Sequence, residues 1–255
     1  MLIDTHSVYT SRTVPKISQL IIATKANDAQ NAFTSVANSL NENSTVMFLQ
    51  NGFGFVDFEK LTKSHPHLQF LVSNTNVGAN FNHDTLYECS NGGTFNISLI
   101  NGDKMNENSL QVLNKLSSLD GISVTQMDYQ EFYQVCLLKL VANSCINAFA
   151  TIHKCTNGQI LQINRELVDC ILNECCDVLN LEKTYTKRYV YDIIEKTQGN
   201  YNSTYTDIYK LGKSASKTEI KYINGYIIQK GVENNVSTPI NRRVFDDFYN
   251  VFQWM

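Results

Sequence analysis

The sequence predicts an α/β domain over residues 1–127 and an all-helical domain over residues 128–255. In the first part, short apolar runs alternate with segments of helical spacing, which is the signature of a parallel sheet with crossover helices. After residue 127 the strand signals largely vanish, and long stretches with apolar residues at helical intervals follow. We therefore expect two domains of different secondary structure.

The first domain is predicted to contain strands and helices in alternation. Its apolar runs have too few polar positions for half-exposed strands, so they are expected to be buried in a parallel sheet. Strands are predicted at 19–25, 45–54, 69–78, 94–102 and 121–127. Helices are predicted at 28–40, 58–65 and near 106–119.

The second domain is predicted to be helical throughout. Helical patterns are found at 129–153, 158–181, 187–198, 203–212, 217–234 and 239–254. The pair Thr238-Pro239 suits the N-cap and first turn of the last helix. No internal repeat or low-complexity tract interrupts these patterns.

Charge and composition exclude several classes of function. The chain has 255 residues and a formal net charge of −3, without a run of Lys or Arg, so neither nucleic acid nor a membrane surface is an expected partner. The sequence contains no apolar run of about 18 residues, the length that would predict a transmembrane span. The N-terminal segment lacks the apolar region of a signal peptide. We predict a cytoplasmic protein and leave mitochondrial import open.

The cysteines and histidines predict no metal site. The seven cysteines form no C-x-x-C pair, and most lie within helical patterns, which favours free, reduced and mainly buried thiols. The five histidines are scattered, and no acidic cluster has the spacing of metal ligands. A His/Asp/Ser triad has no support either.

Three polar residues share one stripe of the first long helix of the second domain. In KLVANSCINAF (139–149), Lys139, Asn143 and Asn147 recur at intervals of four, and such residues stack along a helix with a drift of about 40° per step. Because a buried, unpaired ammonium or amide costs several kcal/mol, these groups must face water, a partner or a ligand. A cleft between domains would suit them, and a solvated helix face is the alternative.

Other candidates follow predicted strands or precede a predicted helix. Ligands of open parallel sheets bind beyond the carboxyl ends of the strands, where Lys25 ends LIIATK and Asn51 ends TVMFLQN. A solvated lysine and a turn asparagine are the alternatives, since Asn-Gly is a common turn dipeptide. Glu219 lies near the start of the predicted helix 217–234, where the helix dipole alone would favour a carboxylate.

Taken together, these segments resemble the ketopantoate reductases (2-dehydropantoate 2-reductases). LIIATKANDA and FLQNGFG resemble family strands that end in a lysine and in Asn-Gly. KLVANSCINAFATIHKCTNGQI matches the long interdomain helix, with its K-x3-N-x3-N spacing. KTEIKYINGYIIQKGVENNVSTPINRRVF matches the terminal T-E-I-x-x-I-N-G and T-P-x-N signature. The similarity extends from about residue 17 to the end of the chain.

The resemblance implies a fold, a reaction and a cofactor. The implied fold is an incomplete, N-terminally truncated Rossmann-like domain that binds NADP, followed by a helical domain of the 6-phosphogluconate-dehydrogenase-like type. The implied reaction is the reduction of ketopantoate to pantoate with NADPH, a step towards pantothenate and coenzyme A. Ketopantoate is the expected small-molecule partner.

The resemblance also implies roles for individual residues. Lys139 is implied to be the general acid that stabilises and protonates a developing alkoxide, an effect worth about 10²–10⁴-fold. Glu219 is expected near the nicotinamide ribose and the substrate hydroxyl, where its charge would keep Lys139 protonated. The implied substrate-binding residues are Asn143, Asn147, Asn200 and Ser203, and the implied cofactor-binding residues are Lys25, Asn51 and Glu219.

The chain departs from the family pattern in two places. The extra segment KLGKSAS (210–216) lengthens the loop before the T-E-I motif. The family begins with a strand and a G-x-G-x-x-G turn, whereas the first glycine here is Gly52, so the cradle for the cofactor phosphates is expected to be missing. Loss of the first three strands would also leave an apolar edge at QLIIATK, which predicts aggregation.

These departures leave other hypotheses open. The missing Gly-rich loop favours a non-catalytic scaffold or interaction protein derived from the family. A reductase for another 2-keto acid is a third hypothesis, because the resemblance indicates the reaction better than the substrate. Apolar faces in the helical half leave a homodimer open.

Overall fold

The computed structural model describes residues 16–82, 86–89 and 92–252. Its contacts divide the chain into two units. The sheet unit comprises the described residues up to Thr24 together with Asp28–Gln50 and Val56–Tyr129. The helical unit comprises Lys25–Asn27, Asn51–Phe55 and the chain from Gln130 onward. Two short segments that follow strands of the sheet therefore belong to the helical unit.

The sheet unit contains a five-stranded sheet and a separate two-stranded one. The larger sheet has the order β1-β2-β3-β6-β7. The strands are β1 (Ile17–Ile22), β2 (Leu40–Phe48), β3 (Gln69–Thr75), β4 (Ala79–Asn82), β5 (Leu86–Cys89), β6 (Gly93–Leu99) and β7 (Ile122–Met127). All pairs in the larger sheet are parallel except β3 with β6, which is antiparallel. The sequence patterns did not predict the hairpin of β4 and β5.

Three helices accompany these strands: α1 (Ala26–Val36), α2 (Phe58–Ser64) and α3 (Glu107–Ser117). Side-chain caps account for two of the helix starts, because Asp57 accepts the N–H of Lys60 and Asn106 accepts that of Ser109. One core of the unit is formed by strand and helix side chains together, among them Met47, Leu71, Ile97 and Val112. The apolar runs of β2 and β3 are therefore buried as expected for a covered sheet. The prediction is wrong for β1, an end strand of the described sheet, because Ile21 there is 44% exposed.

The helical unit is built around one long helix. Its helices are α4 (Tyr129–Ile152), α5 (Ile160–Leu179), α6 (Lys183–Lys196), α7 (Ser203–Tyr205), α8 (Asn224–Glu233) and α9 (Pro239–Phe252). Most of the second half of α4 is buried in the core of this unit. By length and composition α4 could cross a membrane, but 67% of its most apolar window is buried inside the protein, as in the core helices of many globular proteins. The predicted fold class, a mainly parallel α/β sheet followed by a helical part, is confirmed.

One predicted helix is wrong over its first third. The pattern at 217–234 forms two short 3-10 turns, Ala215–Lys217 and Ile220–Tyr222, before α8 begins at Asn224. Ile223 has φ −112° and ψ −94°, which interrupts the helix. Ile220 and Ile223 are fully buried, so tertiary packing outweighs the local helical spacing. Glu219 consequently does not cap a helix of regular length.

Candidate active site

Lys25 and Asn51 follow two neighbouring strands of the sheet. β1 and β2 are parallel, and Ile22 at the end of β1 pairs with Phe48 at the end of β2. The chain therefore leaves both strands at the same edge of the sheet. Both residues belong to the helical unit, which brings them together with side chains from the second half of the chain.

Lys25 lies between two buried carboxylates. Its Nζ is 2.9 Å from Asp207 Oδ2 and 3.6 Å from Glu219 Oε2. Asp207 is 2% exposed and Glu219 is 4% exposed. Burial lowers the pKa of Lys25, but the carboxylates of Glu219 and Asp207 outweigh burial, and the pKa is raised overall. This lysine is therefore firmly protonated.

Glu219 connects Lys25 with Asn51. The Asn51 Nδ2 donates to Glu219 Oε2 at 3.5 Å, a long hydrogen bond. The segment after Asn51 is held by the segment after Glu219, because the Phe53 N–H donates to the Tyr222 carbonyl oxygen at 3.0 Å. Main-chain contacts therefore fix the position of both side chains.

Lys139 lies on α4 within electrostatic reach of Glu219. It retains a little solvent-accessible surface, yet its surroundings disfavour the charged form. Burial lowers the pKa of Lys139 to about 8, against the opposing influences of Cys136 and Glu219. A lysine with such a pKa is mostly protonated at neutral pH and can still release its proton.

The two asparagines of the stripe lie further along α4. Asn143 is half-buried and Asn147 is 5% exposed. The alternative of a solvated helix face is therefore wrong at the position of Asn147. Among the described residues, no hydrogen bond joins either side chain to Lys25 or Glu219.

The segment with Asn200 and Ser203 lies on the surface of the helical unit. Both residues are exposed, and Asn202 between them caps α7 by accepting the Tyr205 N–H at 2.9 Å. The Asn157 N–H donates to the Asn200 carbonyl oxygen at 2.9 Å. Their roles as substrate contacts remain predictions, because no described hydrogen bond links their side chains to Lys25 or Glu219.

The sequence patterns missed two charged residues of the ion-pair group around Lys25, namely Asp207 and Lys213. Asp207 lies four residues after Ser203 in a predicted helix, so its spacing could have marked it as sharing the same side of one helical turn. Lys213, whose Nζ is 2.9 Å from Asp207 Oδ1, lies in the extra segment KLGKSAS. No spacing rule applies to a loop, so Lys213 had no signal in the sequence.

The described residues contain no cluster suited to a metal ion. No group of three or more His, Cys, Asp or Glu side chains among them is close enough to hold one. Six cysteines, Cys136, Cys145, Cys155, Cys170, Cys175 and Cys176, are free and at least partly buried, as predicted. The side chain of Cys89 lies outside the description. Burial raises the pKa of the Cys145 thiol well above its usual value, so this thiol is inert at neutral pH.

Two family models match the chain over most of its length. The model described as "Ketopantoate reductase PanE/ApbA" matches residues 2–102, and that described as "Ketopantoate reductase PanE/ApbA C terminal" matches residues 131–248. The chain is 25% identical over 248 residues to 2-dehydropantoate 2-reductase of Vibrio cholerae, covering 92% of this chain and 77% of that protein. It is 27% identical over 257 residues to a protein of Schizosaccharomyces pombe named probable 2-dehydropantoate 2-reductase, covering 90% of this chain and 72% of that protein.

A solved structure shares the fold. The complex of D-mandelate dehydrogenase with NADH aligns with a TM-score of 0.78 at 20% identity, over 93% of this chain and 80% of that chain. At this identity the likeness shows the fold alone. The helical part and the sheet part of the chain thus occur together in a known dehydrogenase structure.

Proposed function

The chain belongs to the ketopantoate reductase family, and we propose that it reduces 2-dehydropantoate to pantoate with NADPH, a step towards pantothenate and coenzyme A. The observation that carries the proposal is Lys139, a largely buried lysine with a pKa lowered to about 8 within reach of the Glu219 carboxylate. Relatives named 2-dehydropantoate 2-reductase support the choice of substrate. Bound NADPH supplies the hydride.

The donor set fits the nicotinamide ribose of such a cofactor. Glu219 offers a carboxylate that accepts hydrogen bonds from hydroxyl groups, and Asn51 offers an amide that both donates and accepts. The long 3.5 Å hydrogen bond between them is weak enough to be exchanged for contacts with a ligand. We assign Lys25, Asn51 and Glu219 to the cofactor. Because no glycine precedes Gly52, we assign no residue to the cofactor phosphates.

Lys139 protonates the substrate carbonyl oxygen as negative charge develops there. With a pKa of about 8 it is mostly an ammonium at neutral pH, and a general acid works best with a pKa near the working pH. Its positive charge also stabilises the alkoxide before the proton moves, because a fixed charge in a partly desolvated site acts more strongly than in water. Glu219 favours the protonated form of Lys139.

Neutral polar side chains orient the substrate in this proposal. We assign Asn143 and Asn147 to its hydroxyl and carboxylate groups, since amides hydrogen-bond without competing for the transferred proton. We assign Asn200 and Ser203 to the substrate carboxylate. The hydrogen bond from the Asn157 N–H to the Asn200 carbonyl oxygen supports a fixed path for this segment.

The test is NADPH oxidation by the purified chain with and without 2-dehydropantoate. Wild type should show turnover that depends on the keto acid, and Lys139→Ala should lower kcat by at least about 10²-fold. Lys196→Ala, which removes an exposed lysine at the end of α6, is the matched control and should equal wild type. Circular dichroism verifies that each variant is folded.

The outcome also decides between the reductase and a non-catalytic scaffold. Folded wild type that neither binds NADPH nor oxidises it contradicts the reductase and favours the scaffold. Turnover with other 2-keto acids but not with 2-dehydropantoate would retain the reaction and overturn the substrate.

A further inference from the structure

Both the side-chain ammonium and the backbone N–H of Lys213 contact one buried residue, Asp207. Its ammonium lies 2.9 Å from Asp207 Oδ1, and its backbone N–H donates to the Asp207 carbonyl oxygen at 2.9 Å. The Lys213 side chain keeps 32% of its surface, whereas that of Asp207 keeps 3%. The segment KLGKSAS therefore carries a cation to a defined place and does more than lengthen a loop.

The same carboxylate serves a second ammonium. Asp207 Oδ2 lies 2.9 Å from Lys25 Nζ, so the two oxygens of Asp207 face two different lysines. Because Asp207 carries a single negative charge and pairs with both lysines, it offsets the positive charge of Lys25 only in part. Lys25 keeps an attraction for a further anion that it would lack if Asp207 faced it alone.

The balance of charges changes with Lys213. Lys25, Lys139 and Lys213 provide three cations when protonated, and Asp207 and Glu219 provide two anions. Without Lys213 the group would be neutral, and with it one positive charge is in excess. Such an excess in a partly desolvated place attracts a monoanion more strongly than it would in water.

A carboxylate is the anion that suits this place. Asp207 follows Ser203 by four residues along α7 and the single π-helical turn after it, so the two residues are about one helical turn apart in the chain. Ser203 is the residue assigned above to the substrate carboxylate. Lys213 thus adds its charge at the part of the chain where the charged end of a 2-keto acid is expected.

We propose that Lys213 makes the site select anionic substrates, because it supplies the positive charge in excess that draws in the carboxylate of a 2-keto acid. This inference rests on the proposed function and deepens it. Lys213 acts through Asp207 and Lys25 and does not contact the reacting atoms, so it is a positioning residue.

The experiment compares a charged ligand with an uncharged one. Isothermal titration calorimetry with NADP⁺ present measures the affinity of 2-dehydropantoate and of its uncharged lactone for wild type, Lys213→Met and Lys213→Arg. Lys213→Met should weaken binding of the acid about 5–10-fold, the size expected for one partly screened charge, and leave the lactone within about twofold. Lys213→Arg should restore binding of the acid. Raising the salt concentration should reduce the difference.

A matched control removes the same charge from the same loop. Lys217→Met changes an exposed lysine four residues further on and should bind both ligands as wild type does. Thermal unfolding checks the fold of every variant, and Lys213→Gln replaces Lys213→Met if the latter does not fold.

Each outcome supports or overturns the inference. An equal loss of affinity for acid and lactone, or no loss for either, overturns it, and so does a wild type that does not bind the acid. A selective loss for the acid supports it even if wild type fails to oxidise NADPH, and that failure would contradict the proposed function alone.

Discussion

The carbonyl oxygen of Tyr222 occupies the space that a Cβ on Gly52 would need. Gly52 has a φ of +83°, in the left-handed region, and the next N–H, that of Phe53, donates to the same carbonyl oxygen at 3.0 Å. The two backbones are therefore in direct contact. Because Asn51 precedes Gly52 and Glu219 is three residues before Tyr222, this contact sets the separation of the Asn51 and Glu219 side chains.

Replacing Gly52 by alanine should therefore damage both stability and the site. Gly52→Ala adds a left-handed alanine and an overlap with backbone, and we expect a loss of about 2–4 kcal/mol in the free energy of unfolding. Gly54→Ala is the control, because its φ is +75° but a Cβ there would lie 3.6 Å from the Tyr226 ring, an ordinary contact. It should cost only about 1 kcal/mol. Urea denaturation measures both, and equal losses would contradict the role of Tyr222.

A second glycine should matter for the segment that carries Asn200. A Cβ on Gly158 would lie 2.5 Å from the Cβ of Gln198, and the Gly158 N–H donates to the Gln198 carbonyl oxygen at 3.2 Å. Gly158→Ala should shift this segment and raise the KM for 2-dehydropantoate several-fold, with a smaller effect on kcat. Gly199→Ala, where a Cβ would meet nothing within 4 Å, should leave both constants near those of wild type. Similar kinetics for the two variants would refute the expectation.

Removing the charge of Asp207 should break its ion pairs with Lys25 and Lys213 and lower the stability of the protein. Asp207→Asn leaves two lysines without their shared carboxylate, and we expect a loss of about 1–3 kcal/mol in stability, since a paired group is removed from a buried position. Asp177→Asn breaks an ion pair with Lys183 in which both side chains are 51% exposed, and should cost less than about 0.5 kcal/mol. Thermal unfolding in low salt compares them. A loss for Asp207→Asn no larger than for Asp177→Asn would show that the shared carboxylate contributes little.

The proposed reductase activity should fall at alkaline pH. Because Lys139 must be protonated to act as the proposed acid and its pKa is about 8, kcat/KM should be nearly constant from about pH 6 to about pH 7. It should then fall about tenfold per pH unit above about pH 9. The residual activity of Lys139→Ala should lack this decline. A wild-type profile that stays flat well above pH 9 would exclude Lys139 as the acid.

The same pKa shift predicts that Lys139 destabilises the folded protein. The folded pKa of about 8 lies below the usual lysine value of 10.5, so the unfolded chain binds the proton more tightly. The stability of wild type should therefore increase as the pH rises from about 8 to 10.5. At a pH of about 7 the full penalty is present, and Lys139→Met should raise the free energy of unfolding by about 1–3 kcal/mol while lowering kcat by at least about 10²-fold.

Chemical denaturation at several pH values measures this difference. The advantage of Lys139→Met over wild type should shrink above pH of about 8 and disappear near 10.5. Lys154→Met, in the turn after α4, is the control and should show no such trend. A variant that is less stable than wild type at every pH would mean that Lys139 is stabilised by its partners and not strained by burial.

Much of the fold could be predicted because local periodicity reflects burial. The predicted helix at 129–153 became α4, Tyr129–Ile152, since its apolar residues recur around a helix that forms the core of the helical unit. The helix predicted at 217–234 is wrong in its first part because its apolar spacing also reports burial and nothing more. Ile220 and Ile223 are buried by packing, although the backbone there is not a regular helix. Apolar spacing records which side chains are buried, and not always the backbone conformation that buries them.

The sequence by itself determined the order of most of the elements, the stripe of Lys139, Asn143 and Asn147, and the family motifs that contain Lys25 and Glu219. Only the tertiary structure decided which charges meet. The contacts of Asp207 with Lys25 and Lys213 depend on the path of the chain through space, which no local pattern encodes. The pKa of Lys139 is likewise mainly a tertiary property, because burial is its largest cause, although Cys136, three residues earlier in the sequence, also contributes, as does Glu219.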